Sequence, residues 1–193
     1  MKKICVIGQG YIGLPTAMIF ASNNFFVVGV DTDPRKINFL REKKLPFYES
    51  GFSEFAEKIL HRSNYCISAN IEPSDAYIIC VPTPFNQDNT CNFQYILEAT
   101  RNISIVLKKG DLVILESTVP PNTCEDILIP ELNKSGFKGG EDYFVAHAPE
   151  RLIPGNILKE ILENDRIIGG INSKSTEMAV ELYSSFVKGK ILK

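Results

Sequence analysis

The chain has 193 residues, 44% apolar and 23% charged, with a formal charge of −2. That length supports one substantial core, and no apolar run approaches the ~20 residues of a membrane span. The basic residues are scattered, so neither nucleic acid nor an anionic membrane surface is implied.

Residues 3–7, Lys-Ile-Cys-Val-Ile, read as a strand, and a small-residue helix is expected over 11–22. Between them stands Gly8-x-Gly10-x-x-Gly13. Each glycine has its own physical reason. Gly8 permits the tight turn out of the strand, Gly10 leaves room for a pyrophosphate against the backbone, and Gly13 lets helix and strand pack closely. The free N–H groups and positive dipole end of the helix would then hold the phosphates. The strand–turn–helix context is what the motif requires.

A second strand over 25–30 ends at Asp31, 18 residues beyond Gly13. That is close to the ~20 expected for the acid that binds an adenosine ribose. The alternative is a turn or helix-capping aspartate, which Thr32-Asp33-Pro34 also supports. A ribose acid without clustered arginines favours NAD over NADP, with Arg35 the one residue against it.

Helices are expected over 34–42 and 52–61, joined by a loop at 45–51, with a short strand at 65–68. A stronger strand at 75–81 enters Pro82-Thr83-Pro84, a stiff loop at a strand's carboxyl end. Doubly wound sheets bind ligands there, so Thr83 is a candidate cofactor contact, or else a hydroxyl satisfied within its own turn. After a polar loop at 87–92 come a helix over 93–107 and a strand over 112–115. That strand ends in Glu116-Ser117-Thr118-Val119-Pro120, and a helix begins near Asn122. A strand over 143–147 then runs into Pro149-Glu150-Arg151-Leu152. The tail reads as a helix over 157–163, one strand over 166–170, a helix over 173–187 and a stub at 191–192. Strands and helices alternate throughout, so the expected fold is α/β, a doubly wound, mostly parallel sheet in one Rossmann-type dinucleotide-binding domain over 1–193.

Five cysteines, Cys5, Cys66, Cys80, Cys91 and Cys124, show no C-x-x-C pair or metal spacing. They read as reduced, mostly buried thiols of a cytoplasmic protein, with no metal site expected. His147 ends a strand beside Glu150 and is a candidate general base, whereas His61 closes a helix and complements its dipole. Taken without further context, Glu150 and Arg151 read as a solvated ion pair on a loop.

Five segments occur in order: Gly8-Gln-Gly-Tyr-Ile-Gly-Leu-Pro15, Val30-Asp-Thr-Asp33, Val81-Pro-Thr-Pro84, Glu116-Ser-Thr-Val119 and Pro149-Glu-Arg-Leu-Ile-Pro-Gly155. Together they resemble the UDP-glucose/GDP-mannose dehydrogenase family of nucleotide-sugar 6-dehydrogenases. The Pro-Glu-Arg-Leu-x-Pro-Gly form, with Arg151 and Pro154, is most similar to the branch acting on UDP-N-acetyl-D-mannosamine. Related branches act on UDP-N-acetylglucosamine and UDP-glucose.

The resemblance implies four-electron oxidation of a sugar C6 alcohol to a carboxylate, with two NAD+ reduced in turn and a cysteine thioester on the way. By position, Gly8, Gly10, Tyr11, Ile12 and Gly13 would line the pyrophosphate. Asp31 would hold the ribose with Lys36 in support, and Thr83 and Thr118 would face the nicotinamide half. Glu150 and Thr118 would act in catalysis, Glu150 handling protons or water, while Arg151 and Leu152 would meet the UDP-sugar. The family's nucleophile lies in a Gly-Gly-x-Cys segment. Gly139-Gly140 and Gly169-Gly170 lead to no cysteine, so residues 1–193 are expected to be the N-terminal NAD-binding domain alone, inactive by itself. The connecting helix, which in the family builds a homodimer or higher oligomer, would lie outside this chain, as would the C-terminal domain. A non-catalytic dinucleotide-binding module is the competing reading.

Overall fold

Four apolar runs form the centre of one sheet in the computed structural model, which describes residues 1–153 and 155–193. They are β1 (Lys3–Ile7), β2 (Phe26–Val30), β4 (Ala76–Ile79) and β5 (Leu112–Leu115). With β3 (Tyr65–Ser68), β6 (Phe144–His147) and β8 (Gly169–Gly170), the strand order is β3-β2-β1-β4-β5-β6-β8. The first six strands pair in parallel. This is the doubly wound order, and it reverses direction between β1 and β4, where such sheets open a crevice at their carboxyl ends.

Successive strand residues feed opposite layers, as a pleat requires. Ile4, Val6, Ala76, Ile78, Leu112 and Ile114 join one core, which packs against α1 (Gly13–Ser22), α3 (Phe52–Leu60), α6 (Ile157–Glu163) and α7 (Ser173–Tyr183). Cys5, Ile7, Tyr77, Ile79, Val113 and Leu115 join the other, beneath α4 (Gln94–Val106) and the segment through α5 (Ile129–Leu132). Helix α1 is buried from Gly13 to Ala21, which is why it is built of small and apolar residues on every side. Helix α2 (Pro34–Arg41) covers the β3 side with Ile37 and Leu40.

The structure differs from the expected elements in three places. The helix near Asn122 is uneven: Asn122 has φ +64°, a π-helical turn spans Cys124–Leu128, and a 3₁₀ turn at Asn133–Ser135 follows α5. Pro130 in this segment removes an amide donor from the helical ladder. The final helix ends at Tyr183 rather than 187. The single strand expected over 166–170 is two. β7 (Arg166–Ile167) pairs in parallel with β9 (Ile191–Leu192) in a separate ladder, and β8 pairs antiparallel with β6. The residue between them, Ile168, is fully buried. The segment Arg-Ile-Ile-Gly-Gly was read as one strand because its two isoleucines are adjacent, but only the first belongs to a ladder.

Candidate functional site

The turn after β1 uses its three glycines in three ways. Gly8 has φ +91°, and a Cβ there would lie 2.6 Å from the Cys80 carbonyl oxygen on the neighbouring strand. A Cβ on Gly13 would lie 1.8 Å from the Gly8 carbonyl oxygen, so the first turn of α1 rests directly on the loop. A Cβ on Gly10 would meet nothing within 4 Å. Gly10 therefore borders open space, and that space fits a phosphate group brought up to the backbone. No side chain caps α1, and its first turn holds no acidic residue, which leaves the dipole end available to an anion.

The two aspartates beyond β2 separate into two functions. Asp33 caps α2, accepting from the Arg35 amide, and also binds the Arg35 side chain through Nε at 3.1 Å and Nη2 at 2.9 Å. These bonds to Arg35 hold its carboxyl down at about 2. Asp31 is only 7% exposed and lines the cleft. Its Oδ2 accepts from the Gln9 amide at 2.8 Å and from Lys36 Nζ at 3.0 Å, and its Oδ1 accepts from the Asp33 amide at 2.9 Å. Asp31 is therefore locked to the glycine turn by Gln9, and Lys36 stands beside it. Arg35, the one residue that argued for a second phosphate, is engaged by Asp33.

The crevice beyond the switch point is a cleft of about 830 Å³. Gly8, Gly10, Tyr11, Ile12, Asp31, Lys36, Thr83, Thr118, Glu150, Arg151 and Leu152 all line it. Of the cofactor and substrate residues expected from the sequence, Gly13 is absent from the lining, because it packs beneath the turn. The loops after β4 and β5 are bonded to one another: Thr83 Oγ1 donates to the Thr118 carbonyl at 2.9 Å, and Ser117 Oγ donates to the Val81 carbonyl at 2.7 Å.

At the far end of the cleft, Glu150 pairs with Arg166 and not with Arg151. Its other oxygen accepts from the Arg151 amide at 2.8 Å. The side chain of Glu150 is only 7% exposed, which overturns the reading of a solvated loop pair. Burial raises its pKa above the usual carboxylate value, the Arg166 charge opposes that, and Glu116 adds to it. Arg151 is exposed, its Nη2 reaching the Asp165 carbonyl at 3.4 Å. Leu152 is half-buried against the core. Pro154 lies outside the described residues.

Sequence reasoning missed Glu116, Arg166, Tyr183 and Glu49 here. Glu116, with a side chain fully buried, accepts from Arg166 Nη1 at 2.9 Å, Tyr183 Oη at 2.8 Å, Cys80 Sγ at 3.0 Å and Thr16 Oγ1 at 3.2 Å. Arg166 Cζ also lies 4.6 Å from the centre of the Tyr183 ring. Burial, with Glu116 beside them, pushes the Cys80 thiol and the Tyr183 hydroxyl well up, so both stay protonated donors. Glu49 is the fourth: it accepts from Tyr11 Oη and, at 2.7 Å, from the Gly155 amide. It thereby connects the glycine turn to the segment that carries Glu150. The signals were faint, an acid inside a hydroxyl-rich loop and an arginine opening an apolar run.

His147 is not among the residues that line the cleft. Its Nε2 is buried without a hydrogen-bond partner among the described residues, and burial lowers its pKa. That orphaned nitrogen argues against the general-base reading. His61 follows α3 directly, as expected. Among the described residues, no group of three or more His, Cys, Asp or Glu could hold a metal ion, all five cysteines are unpaired, and no helix is long and apolar enough to cross a membrane.

A glycine-turned β1–α1 unit with an acid ending β2, set at the reversal of a doubly wound sheet, defines a dinucleotide-binding domain. The model of the UDP-glucose/GDP-mannose dehydrogenase family, NAD binding domain, matches residues 2–187, and the chain belongs to that family. Its cofactor is NAD. A UDP-N-acetyl-D-mannosamine dehydrogenase of Methanococcus maripaludis is 46% identical over 99% of this chain and 44% of its own length. The chain thus spans under half of that relative. The structure of a UDP-N-acetyl-mannosamine dehydrogenase from Staphylococcus aureus superposes with a TM-score of 0.95 at 39% identity, over 99% of this chain and 47% of that one. GDP-mannose dehydrogenase from Pseudomonas aeruginosa, solved as a ternary complex, superposes with a TM-score of 0.91 at 25% identity, over 100% and 46%.

Proposed function

We propose that this chain is the cofactor-binding part of a UDP-sugar 6-dehydrogenase, acting on UDP-N-acetyl-D-mannosamine. The observation that carries the reading is one cleft with the glycine turn at one end and Glu150, Arg151 and Leu152 at the other. The reaction takes the C6 –CH2OH, water and two NAD+ to –COO−, two NADH and three protons. NAD bound in the cleft would supply the hydride acceptor.

The residues divide that work. Gly8, Gly10, Tyr11 and Ile12 form the pyrophosphate cradle, with Gly13 beneath it. Asp31 accepts from the adenosine ribose and Lys36 holds that carboxylate in place. Thr83 and Thr118, on two bonded loops, face the nicotinamide half. Arg151 offers the sugar nucleotide an exposed planar fork suited to phosphate or acyl oxygens. Leu152 gives it an apolar wall. Glu150 is the acid–base group: burial disfavours its ionised form, so it can take a proton from the water that completes the oxidation. In this reading residues 1–193 form one domain, the thiol nucleophile comes from elsewhere in the protein, and the assembly is a cytoplasmic homodimer or larger. The reduced cysteines support that compartment.

Calorimetry on the 193-residue chain tests the cofactor half, with NAD+ expected to bind and NADP+ to bind more weakly. NADH formation by the full-length protein tests the substrate, with UDP-N-acetyl-D-mannosamine expected to outpace UDP-N-acetylglucosamine and UDP-glucose. The isolated chain is expected to produce none. Turnover by the isolated chain would sink the division of labour.

A further inference from the structure

Glu150 is held by an arginine that is itself held by something stronger. Arg166, with 4% of its side chain exposed, spreads its two Nη groups between two carboxylates, Glu116 behind it and Glu150 at the cleft. The two arms are unequal. Glu116 has no exposure and takes donors from Thr16, Cys80 and Tyr183 besides Arg166. The guanidinium also lies over the Tyr183 ring, with Phe186 beyond it. Glu150 has, among the described residues, Arg166 and the amide of Arg151. Arg166 therefore cannot follow Glu150 if that carboxylate moves or gains a proton.

We propose that Arg166 is a positioning residue for the cleft: it fixes the Glu150 carboxylate while sharing its single charge with the buried Glu116, so that Glu150 keeps the capacity to accept a proton. A carboxylate paired one-to-one with arginine is held ionised, because the neighbouring positive charge favours the charged form. Here two carboxylates divide one guanidinium, and the buried group as a whole keeps a net negative charge. Of the other charged groups around Glu150, Arg151 adds the weakest of the influences on its carboxyl, a positive charge on an exposed side chain. Cys80 and Tyr183 are neutral donors to Glu116. Glu160 and Asp165 line the small cavity that Glu150 borders and are acidic. Arg151 sends its side chain outward.

The inference rests on the proposed acid–base role of Glu150 for its purpose but not for its geometry, and the test separates the two. Carboxyl and guanidinium resonances of the 193-residue chain, with NAD+ added, would be followed against pH. In the unaltered chain, the Arg166 Nη resonances are expected to be separate, since both arms are held, and to shift with the same midpoint as the Glu150 carboxyl. Glu116→Gln should move the Glu150 midpoint down, because it removes a like charge and leaves Arg166 to Glu150. Arg166→Lys keeps the charge but cannot fork, so the Glu150 midpoint should rise. Averaged Nη resonances that ignore the Glu150 titration overturn the proposal, and this reading needs no variant to fold. A Glu150 midpoint unmoved by either substitution overturns it as well. Full-length Glu150→Gln that still makes NADH at the normal rate would instead remove the acid–base role and leave the Arg166 geometry standing.

Discussion

The two ends of the cleft are built by opposite strategies. The glycine end comes from six consecutive residues, with Asp31 and Lys36 close behind, and its chemistry lies mostly in the backbone. The acid end brings Thr16, Cys80, Glu116, Glu150, Arg166 and Tyr183 together from α1, β7, α7 and the carboxyl ends of three strands, with contacts up to 100 residues apart. The first end is a local turn that any doubly wound sheet can present. The second exists only once the whole sheet has closed. Glu49 joins them, touching Tyr11 on one side and Gly155 on the other.

The sharpest way to break this contrast is to remove the cation at the acid end. Arg166→Met leaves Glu116 buried without its counter-charge, and a loss of ~3–5 kcal/mol in chemical denaturation is expected. Next, Gly13→Ala places a methyl against the Gly8 carbonyl. Overpacking of ~1–3 kcal/mol follows, and thermal unfolding should show it together with weakened NAD binding. Gly10→Ala should do the reverse of Gly13→Ala. Its Cβ meets nothing, so stability should stay within ~0.5 kcal/mol while calorimetry shows NAD affinity falling at least tenfold. If both glycine variants lose stability equally, the division between packing glycine and ligand glycine is wrong.

The smallest expected effect concerns His147. Burial keeps its folded-state pKa below the ordinary 6.5. Between those two values the unfolded chain binds more protons than the folded one, so stability rises with pH there and is lost as pH falls below 6.5. His147→Gln should flatten that part of the melting-temperature profile on the acid side. An unchanged acid slope would show that His147 charges freely in the folded protein.

The legibility of the molecule follows the same contrast. The glycine turn, the β1–α1–β2 unit and the strand at 76–79 could be read because periodicity and local geometry determine them. Asp31 and Asp33 looked alike in sequence and both line the cleft, and only their bonds show that Asp31 is tied to the glycine turn while Asp33 caps α2. Glu150 lines the cleft, and the pairing with Arg151 that sequence adjacency alone suggests is not the one it makes. Arg151 is adjacent in sequence, whereas Arg166 becomes a neighbour only after the chain has passed through α6. Glu116 was visible as a residue and invisible as the most heavily bonded carboxylate of the site, since its donors come from four separate elements. The division of 166–170 between two ladders was hidden because Ile167 and Ile168 read as one strand, although Ile167 belongs to β7 and Ile168 lies between the ladders.

That division has a mechanical consequence. The backbone of Arg166 is bonded to the Lys190 carbonyl at 2.8 Å, and β7 pairs with Ile191–Leu192. Asp165, one residue earlier, accepts from the Lys190 amide at 2.7 Å. Residues 190–192 thus act as a leash on the arginine that steadies Glu150, although they lie outside the cleft. Trimming them would slacken the acid end first, and the glycine end would keep its shape.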